Sequence, residues 1–264
     1  MRVGVTLPQF REEAEPAIAV ARRAEAVGLD GVFVFDHLWP LHQPERPALH
    51  SLTLLGALAA ETERIVLATF TARVSLLPTA VLVHTLVSLH RMLDGRFIAG
   101  LGTGDRNNRD ENVAYGVGFP PADVRARELE TCCRELQARG VRTWVGGTSP
   151  LAREMAAADA DGWNGWGIGV EEFAGMAADV RNRAGGDVEV SWGGQVLIGR
   201  DADDAAAKLE RHGNRPGLVH GTVDDLRHHF AALADAGADW AVCSPIDVGA
   251  DEGAVDLLRQ AQSE

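Results

Sequence analysis

The sequence predicts an α/β protein, a closed (β/α)8 barrel, and three observations carry the prediction. Short runs of apolar, β-branched and aromatic residues alternate with amphipathic helical stretches from one end of the chain to the other. The alternation repeats roughly eight times, the number that closes a barrel. With 264 residues, 46% hydrophobic and 24% charged, the chain has the size and apolar content of one such barrel over residues 1–264, with no linker dividing it. The alternation alone would also allow an open, doubly wound sheet.

Residues 2–7 (RVGVTL) read as the first strand. Residues 16–27 read as a helix whose Ala17, Val20, Ala24 and Val27 share a face opposite Arg22, Arg23 and Glu25, capped by Gly28. Residues 31–35 (GVFVF) are nearly all apolar, as a strand buried on both sides must be, and hand over abruptly to Asp36-His37-Leu38-Trp39-Pro40. A helix at 51–62, a strand at 65–70 (IVLATF), a helix from Thr79 to Met92 behind Pro78, and a strand at 97–102 (FIAGLG) follow. A helix at 121–139, a strand at 142–145 (RTWV), a helix opening at Ser149-Pro150, a strand at 162–166 and a helix at 171–183 continue the series. It ends with a strand within 188–198, helices near 202–211 and 222–236, a strand at 239–243 and a helix at 252–262.

The formal net charge of −13 argues against a nucleic-acid or anionic-membrane partner, because phosphate surfaces repel such a surplus of carboxylates. A small molecule is the expected partner. Cys132 and Cys133 are neighbours in a helical stretch and Cys243 lies far from both, so neither a disulfide framework nor metal-ligand spacing can be read, and a reducing cytoplasm fits. The start MRVGVTLPQF has no basic segment followed by an apolar one, and no run approaches the roughly eighteen apolar residues of a membrane span.

In a closed barrel the chemistry gathers at the carboxyl ends of the strands. Asp36-His37 leaves the second strand, and a His beside a carboxylate can exchange protons near neutral pH, although a polar loop histidine is the alternative. Gly100-Leu101-Gly102-Thr103-Gly104 fails as a dinucleotide fingerprint, since Asp105 stands where the last glycine would be needed; its glycines either let the backbone approach a flat ring or form a tight turn. Gly146-Gly147-Thr148-Ser149 offers N–H groups and hydroxyls at a helix start, which suits a phosphate, but Ser149 before Pro150 is also ordinary helix punctuation. The charged tract 105–111 is either a solvated loop or part of the site at a strand exit.

Taken in order, GLDGVFVFDHLWP, TERIVLATF, LDGRFIAGLGTG, WVGG-TSP, ADGWN and ADAGADWAV resemble the bacterial luciferase-like monooxygenase superfamily over nearly the whole chain. The resemblance implies a luciferase-like TIM barrel and a flavin-type cofactor, either FMN or the deazaflavin coenzyme F420. Three details favour F420 and hydride transfer to or from a small organic substrate. The Asp36-His37 pair resembles the one carrying the proposed active-site His of deazaflavin-dependent sugar-phosphate dehydrogenases; Asp105 stands where those enzymes use a Glu as proposed proton donor; and Thr103 stands where FMN-using members place an Arg.

The same resemblance implies that Asp36 orients or charges His37, and that Asp105 handles a second proton if partly buried. Phe70-Thr71 would carry a cis peptide against the ring, beside Thr103 and Gly104, and Gly146, Gly147, Thr148 and Ser149 would hold the cofactor phosphate. Trp39 and Leu41 fall on the substrate side, Leu41 replacing an aromatic residue of the sugar-phosphate enzymes. A covering insertion usual before the strand at 142 is almost absent, so the pocket is expected to be open or finished by a second subunit in a homodimer. An FMN-dependent monooxygenase and a non-catalytic flavin-binding or partner-binding barrel are the rival readings.

Overall fold

Successive side chains in the strands point alternately into two apolar environments, which is why the sheet strands are so uniformly hydrophobic. In β2 (Gly31–Val34), Val32 and Val34 pack outward beneath the helices, whereas Phe33 joins Phe70, Ile98, Trp144, Trp240 and Val242 in a separate inner cluster. Small residues make room for these rings: a Cβ on Gly4 would stand 2.3 Å from Phe33 Cε2.

A computed structural model describes residues 1–249 and 253–262. Its strands are β1 (Arg2–Thr6), β2, β3 (Val66–Thr69), β4 (Ala72–Arg73), β5 (Phe97–Gly102), β6 (Arg142–Gly146), β7 (Gly162–Trp166), β8 (Glu189–Gly199), β9 (Val219–Thr222) and β10 (Trp240–Pro245). All pairings are parallel in the order β10-β1-β2-β3-β5-β6-β7-β8, and β8 pairs back onto β10 from Ser191↔Trp240 to Val196↔Pro245. The sheet is therefore a closed eight-stranded TIM barrel, and the open doubly wound alternative is excluded. β4 rides on β5, and β9 pairs with the last residues of β8.

The surrounding helices are α1 (Glu15–Val27), α2 (Ser51–Glu61), α3 (Thr79–Met92), α4 (Arg109–Ala114), α5 (Ala122–Gln137), α6 (Pro150–Asp159), α7 (Val170–Ala184), α8 (Ala202–His212), α9 (Val223–Asp235) and α10 (Gly253–Gln262). Gly28 closes α1 in the left-handed conformation, φ 85°, as its position predicts. Three features depart from the sequence reading: β4 and β9 are additional strands, and the charged tract 105–111 folds into a 3-10 turn, Arg106–Asn108, that leads into α4. Residues 138–141 alone separate α5 from β6.

The amino-terminal end of the barrel is closed by charge. Glu189, at the start of β8, pairs with Arg2 and Arg142 and accepts from Trp144 Nε1 at 3.1 Å, while Arg2 lies 4.5 Å over the Trp240 ring. Burial of the Glu189 carboxyl pushes its pKa up, but the two guanidinium groups outweigh it and hold the carboxyl below the ordinary range. With that end plugged, the carboxyl ends of the strands form the mouth.

Candidate active site

Four strand exits build the mouth, and the loop after β2 is its centre. Gln9, fully buried behind β1, clamps that loop: its Oε1 accepts from Phe35 N and its Nε2 donates to Phe35 O, both at 2.7 Å. This side chain copies one more rung of a strand ladder and fixes the direction in which Asp36 and His37 leave β2. Sequence reasoning passed over it.

The expected Asp36–His37 partnership needs correction. Asp36 is buried with both oxygens engaged elsewhere, accepting from Ser51 Oγ at 2.7 Å and from Arg73 N at 2.8 Å. The partner of His37 is Glu111 of α4, whose Oε2 lies 3.3 Å from His37 Nδ1. Glu111 is 1% exposed; it also accepts from Leu38 N and, at 2.9 Å, from Arg73 Nη1, which reaches on to Asn112 Oδ1 at 3.1 Å. Burial pushes the Glu111 carboxyl up, yet the His37 hydrogen bond, the Arg73 guanidinium and the Leu38 N–H together hold it below the ordinary glutamate range. Arg73 is buried as well, and its Nε and Nη2 have no hydrogen-bond partner among the described residues. Neither Glu111 nor Arg73 was singled out from the sequence; the only available signal was the strand exit before the charged tract.

Asp105 also departs from expectation. It is exposed, and its carboxylate accepts from Asn107 N at 2.8 Å as part of a capping box with Asn108, so the partial burial required for its proton-transfer role is missing. Thr103 stays at the β5 exit, where its carbonyl accepts from Arg125 Nε at 2.9 Å, and Gly104 follows with φ 66°.

Phe70-Thr71 joins β3 to β4 through a cis peptide bond. Thr71 explains the neighbouring glycines. A Cβ on Gly102 would lie 2.4 Å from Thr71 Oγ1, one on Gly146 2.6 Å from Thr71 Cγ2, and one on Gly100 2.1 Å from Thr69 O. These glycines admit the chain's own bulge rather than a flat ring, a third correction.

An aromatic wall lines the mouth beside His37. Phe10 stands 6.4 Å from the His37 ring and stacks on Phe35 at 6.2 Å, and Phe35 and Phe70 each meet Trp166 edge-on at 5.5 Å. Trp166, the last residue of β7, is 37% exposed, large and apolar at a strand exit, so the rule applied to the other exits would have found it. Trp39 contacts Tyr115 at 5.7 Å, and Leu41 is exposed.

At the β6 exit, Gly147 N donates to Asn164 O at 3.0 Å, so this N–H is not free for a phosphate. Gly146 lies within β6. Ser149 Oγ caps α6 by accepting from Ala152 N at 3.1 Å, and the N–H groups of Thr148 and Ser149 have no partner among the described residues. Helix punctuation and two available donors thus coexist at this helix start.

A profile of the luciferase-like monooxygenase family matches residues 1–141 and 124–242. The chain belongs to this family. Within the luciferase-like monooxygenase family it is 36% identical, over 133 residues, to an F420-dependent glucose-6-phosphate dehydrogenase of Microbacterium testaceum (strain StLB037), covering 47% of this chain and 37% of that one. An enzyme of the same name from Beutenbergia cavernae is 32% identical over 166 residues, covering 60% of this chain and 47% of the relative. The chain thus spans less than half the length of these curated relatives.

Solved structures that share the luciferase-like fold include an F420-dependent secondary alcohol dehydrogenase in complex with an F420-acetone adduct, with a TM-score of 0.81, 15% identity and coverage of 98% and 97%. The oxygenating constituent of 3,6-diketocamphane monooxygenase from Pseudomonas putida, in complex with FMN, superposes with a TM-score of 0.76 at 15% identity, covering 100% of this chain and 97% of that one.

Proposed function

We propose that the protein is an oxidoreductase that moves hydride between coenzyme F420 and a small organic substrate, working as one barrel domain. The observation that carries the reading is the His37–Glu111 pair beside an aromatic wall at the barrel mouth that ends in the exposed Trp166. F420 is favoured over FMN because the relatives matched at 32–36% identity are named F420-dependent.

The residues present fit such a group. Trp166, buttressed by Phe35 and Phe70, offers an apolar face for a flat ring, and Thr148 N–H, Ser149 N–H and the Ser149 hydroxyl offer donors for an anion at the start of α6. The cofactor, when bound, supplies the hydride donor or acceptor. The protein's own work is proton management and exclusion of water. His37, with 20% of its side chain exposed, exchanges the proton of the substrate; Phe10, stacked on Phe35, sets an apolar ring beside it; Trp39 and the exposed Leu41, two and four residues on from His37 in the chain, are assigned to the substrate.

Parallel fluorescence titrations of the purified protein with F420 and with FMN test the reading. F420 should bind at least about tenfold more tightly, a difference of about 1.4 kcal/mol. Preference for FMN would turn the assignment to oxygenase chemistry, and binding of neither would remove the enzymatic reading.

A further inference from the structure

The barrel mouth holds an acid–base pair, a buried Glu111 and a part-exposed His37, whose polarity the geometry decides. Three donors converge on one carboxylate: Leu38 N–H and His37 Nδ1 from the β2 exit, and Arg73 Nη1 from β4. An ionised carboxylate only accepts hydrogen bonds, so Nδ1 must carry its hydrogen to complete the set. Neutral His37 then has a bare Nε2.

We propose that Glu111, held anionic by Arg73, is a positioning residue that locks His37 in the Nδ1–H form and leaves Nε2 as a proton acceptor, setting the site for substrate oxidation. The proposal rests on the oxidoreductase reading above and gives it a direction. A substrate hydroxyl passes its proton to His37 Nε2; the hydrogen on the adjacent carbon leaves with its electron pair to an oxidised deazaflavin; the carbon–oxygen single bond becomes a carbonyl. His37 becomes imidazolium, and its Nδ1–H bond to Glu111 then joins opposite charges.

The charged groups around His37 agree with this polarity. Glu111 faces it from α4, Arg73 Nη1 shares the Glu111 Oε2 with His37 Nδ1, and Asp36 is occupied by Ser51 Oγ and Arg73 N. The remaining neighbour, Phe10, is uncharged. A glutamine at 111 keeps an amide oxygen for Arg73 Nη1 and His37 Nδ1, which share Oε2, and sets its NH2 against Leu38 N–H, so it removes the charge without removing the acceptor.

Long-range ¹H–¹⁵N spectra of histidine-labelled protein read the tautomer directly, with His37→Asn identifying the signal among the nine histidines. At a pH where the imidazole is neutral, the wild-type protein should show the Nδ1–H form at His37, and Glu111→Ala, which removes the acceptor, should shift it to Nε2–H or to a mixture. In turnover with F420 and a secondary alcohol, Glu111→Gln should lower kcat by about 10–100-fold with KM changed less than about threefold, and Glu111→Asp should recover part of the loss.

An Nε2–H form in the wild-type protein would overturn the proposal without any variant having to fold, as would an unchanged tautomer in a Glu111→Ala protein whose barrel is folded. Because the spectra need no cofactor, failure of F420 to bind would sink the oxidoreductase reading while leaving the tautomer assignment intact.

Discussion

Substituting the glycines around Thr71 tests whether they exist to admit that side chain. Alanine at 102 would place a Cβ 2.4 Å from Thr71 Oγ1, and alanine at 146 would place one 2.6 Å from Thr71 Cγ2. Carbon contacts are favourable near 3.5–4.0 Å, so each substitution is short by roughly an ångström. Thr71 is β-branched and blocked on both sides, and rotating one branch away from its neighbour drives the other into the opposite wall. Each alanine should therefore cost about 1–3 kcal/mol, the range for overpacking a filled core.

Thr71→Ala removes both offending atoms and leaves its Cβ 3.5 Å from the Cβ added at 102, an ordinary contact. In that background Gly102→Ala and Gly146→Ala should cost less than about 1 kcal/mol, a coupling of about 1–2 kcal/mol between contacting sites. Gly100→Ala is the control: it meets the Thr69 carbonyl at 2.1 Å, which no side-chain deletion removes, and its cost should be undiminished. Urea unfolding midpoints at constant m-value measure all of these. Equal costs with and without Thr71→Ala, or rescue of Gly100→Ala, would refute the steric account.

Gln9→Leu leaves the N–H and C=O of Phe35 without their buried partner, so stability should fall by about 2–4 kcal/mol, read from the same urea transitions. Trp166→Ala should weaken F420 binding by about 2–12-fold, the equivalent of about 0.5–1.5 kcal/mol of aromatic contact, measured by fluorescence titration; unchanged affinity would remove Trp166 from the cofactor site. Glu111 and Glu189 both titrate below the ordinary glutamate value of 4.5 in the folded protein. The stability they contribute is fully present above that value and is lost as pH falls through their lowered ones. Urea midpoints should thus hold steady from about pH 7 to pH 5 and decline below about pH 4.5, and Glu189→Gln should lower stability at neutral pH while flattening the acid decline.

The barrel was legible because its strands are apolar on both faces and its helices on one, a pattern each segment writes locally. What escaped was set by partners distant in sequence. The short α4 has no apolar face to announce it: Asp105 and Asn108 form the capping box of the 3-10 turn that leads into it, and Arg73 draws Glu111 and Asn112 inward from another strand. Asp36 was paired with His37 because they are adjacent, yet neighbours on an extended segment point to opposite sides. One turns to Ser51, the other to Glu111. The glycines at 100 and 102 share a face by the same period of two, which was readable; that the face meets Thr69 and Thr71 was not. Likewise Ser149 was legible as a helix cap, whereas the loss of the Gly147 N–H to Asn164 depends on the register of β7.

These non-local contacts form one mechanical series. The slots at Gly102 and Gly146 seat Thr71; Thr71 leads directly into β4, which places Arg73; Arg73 anchors Glu111; and Glu111 orients His37. α4 has only 6 residues, too few to persist on its own helical propensity, so the buried ion pair fixes the helix as much as the helix presents the carboxylate. Breaking a buried pair by removing one partner leaves an uncompensated charge and costs about 3–5 kcal/mol, more than so short a helix can absorb. Truncating Arg73 or Glu111 should therefore cost acid–base competence and the folding of α4 together, whereas Glu111→Gln keeps an acceptor on Arg73 Nη1 and leaves the helix in place. A shift in the packing of Thr71 reaches His37 through Arg73 and Glu111 without touching the mouth at all.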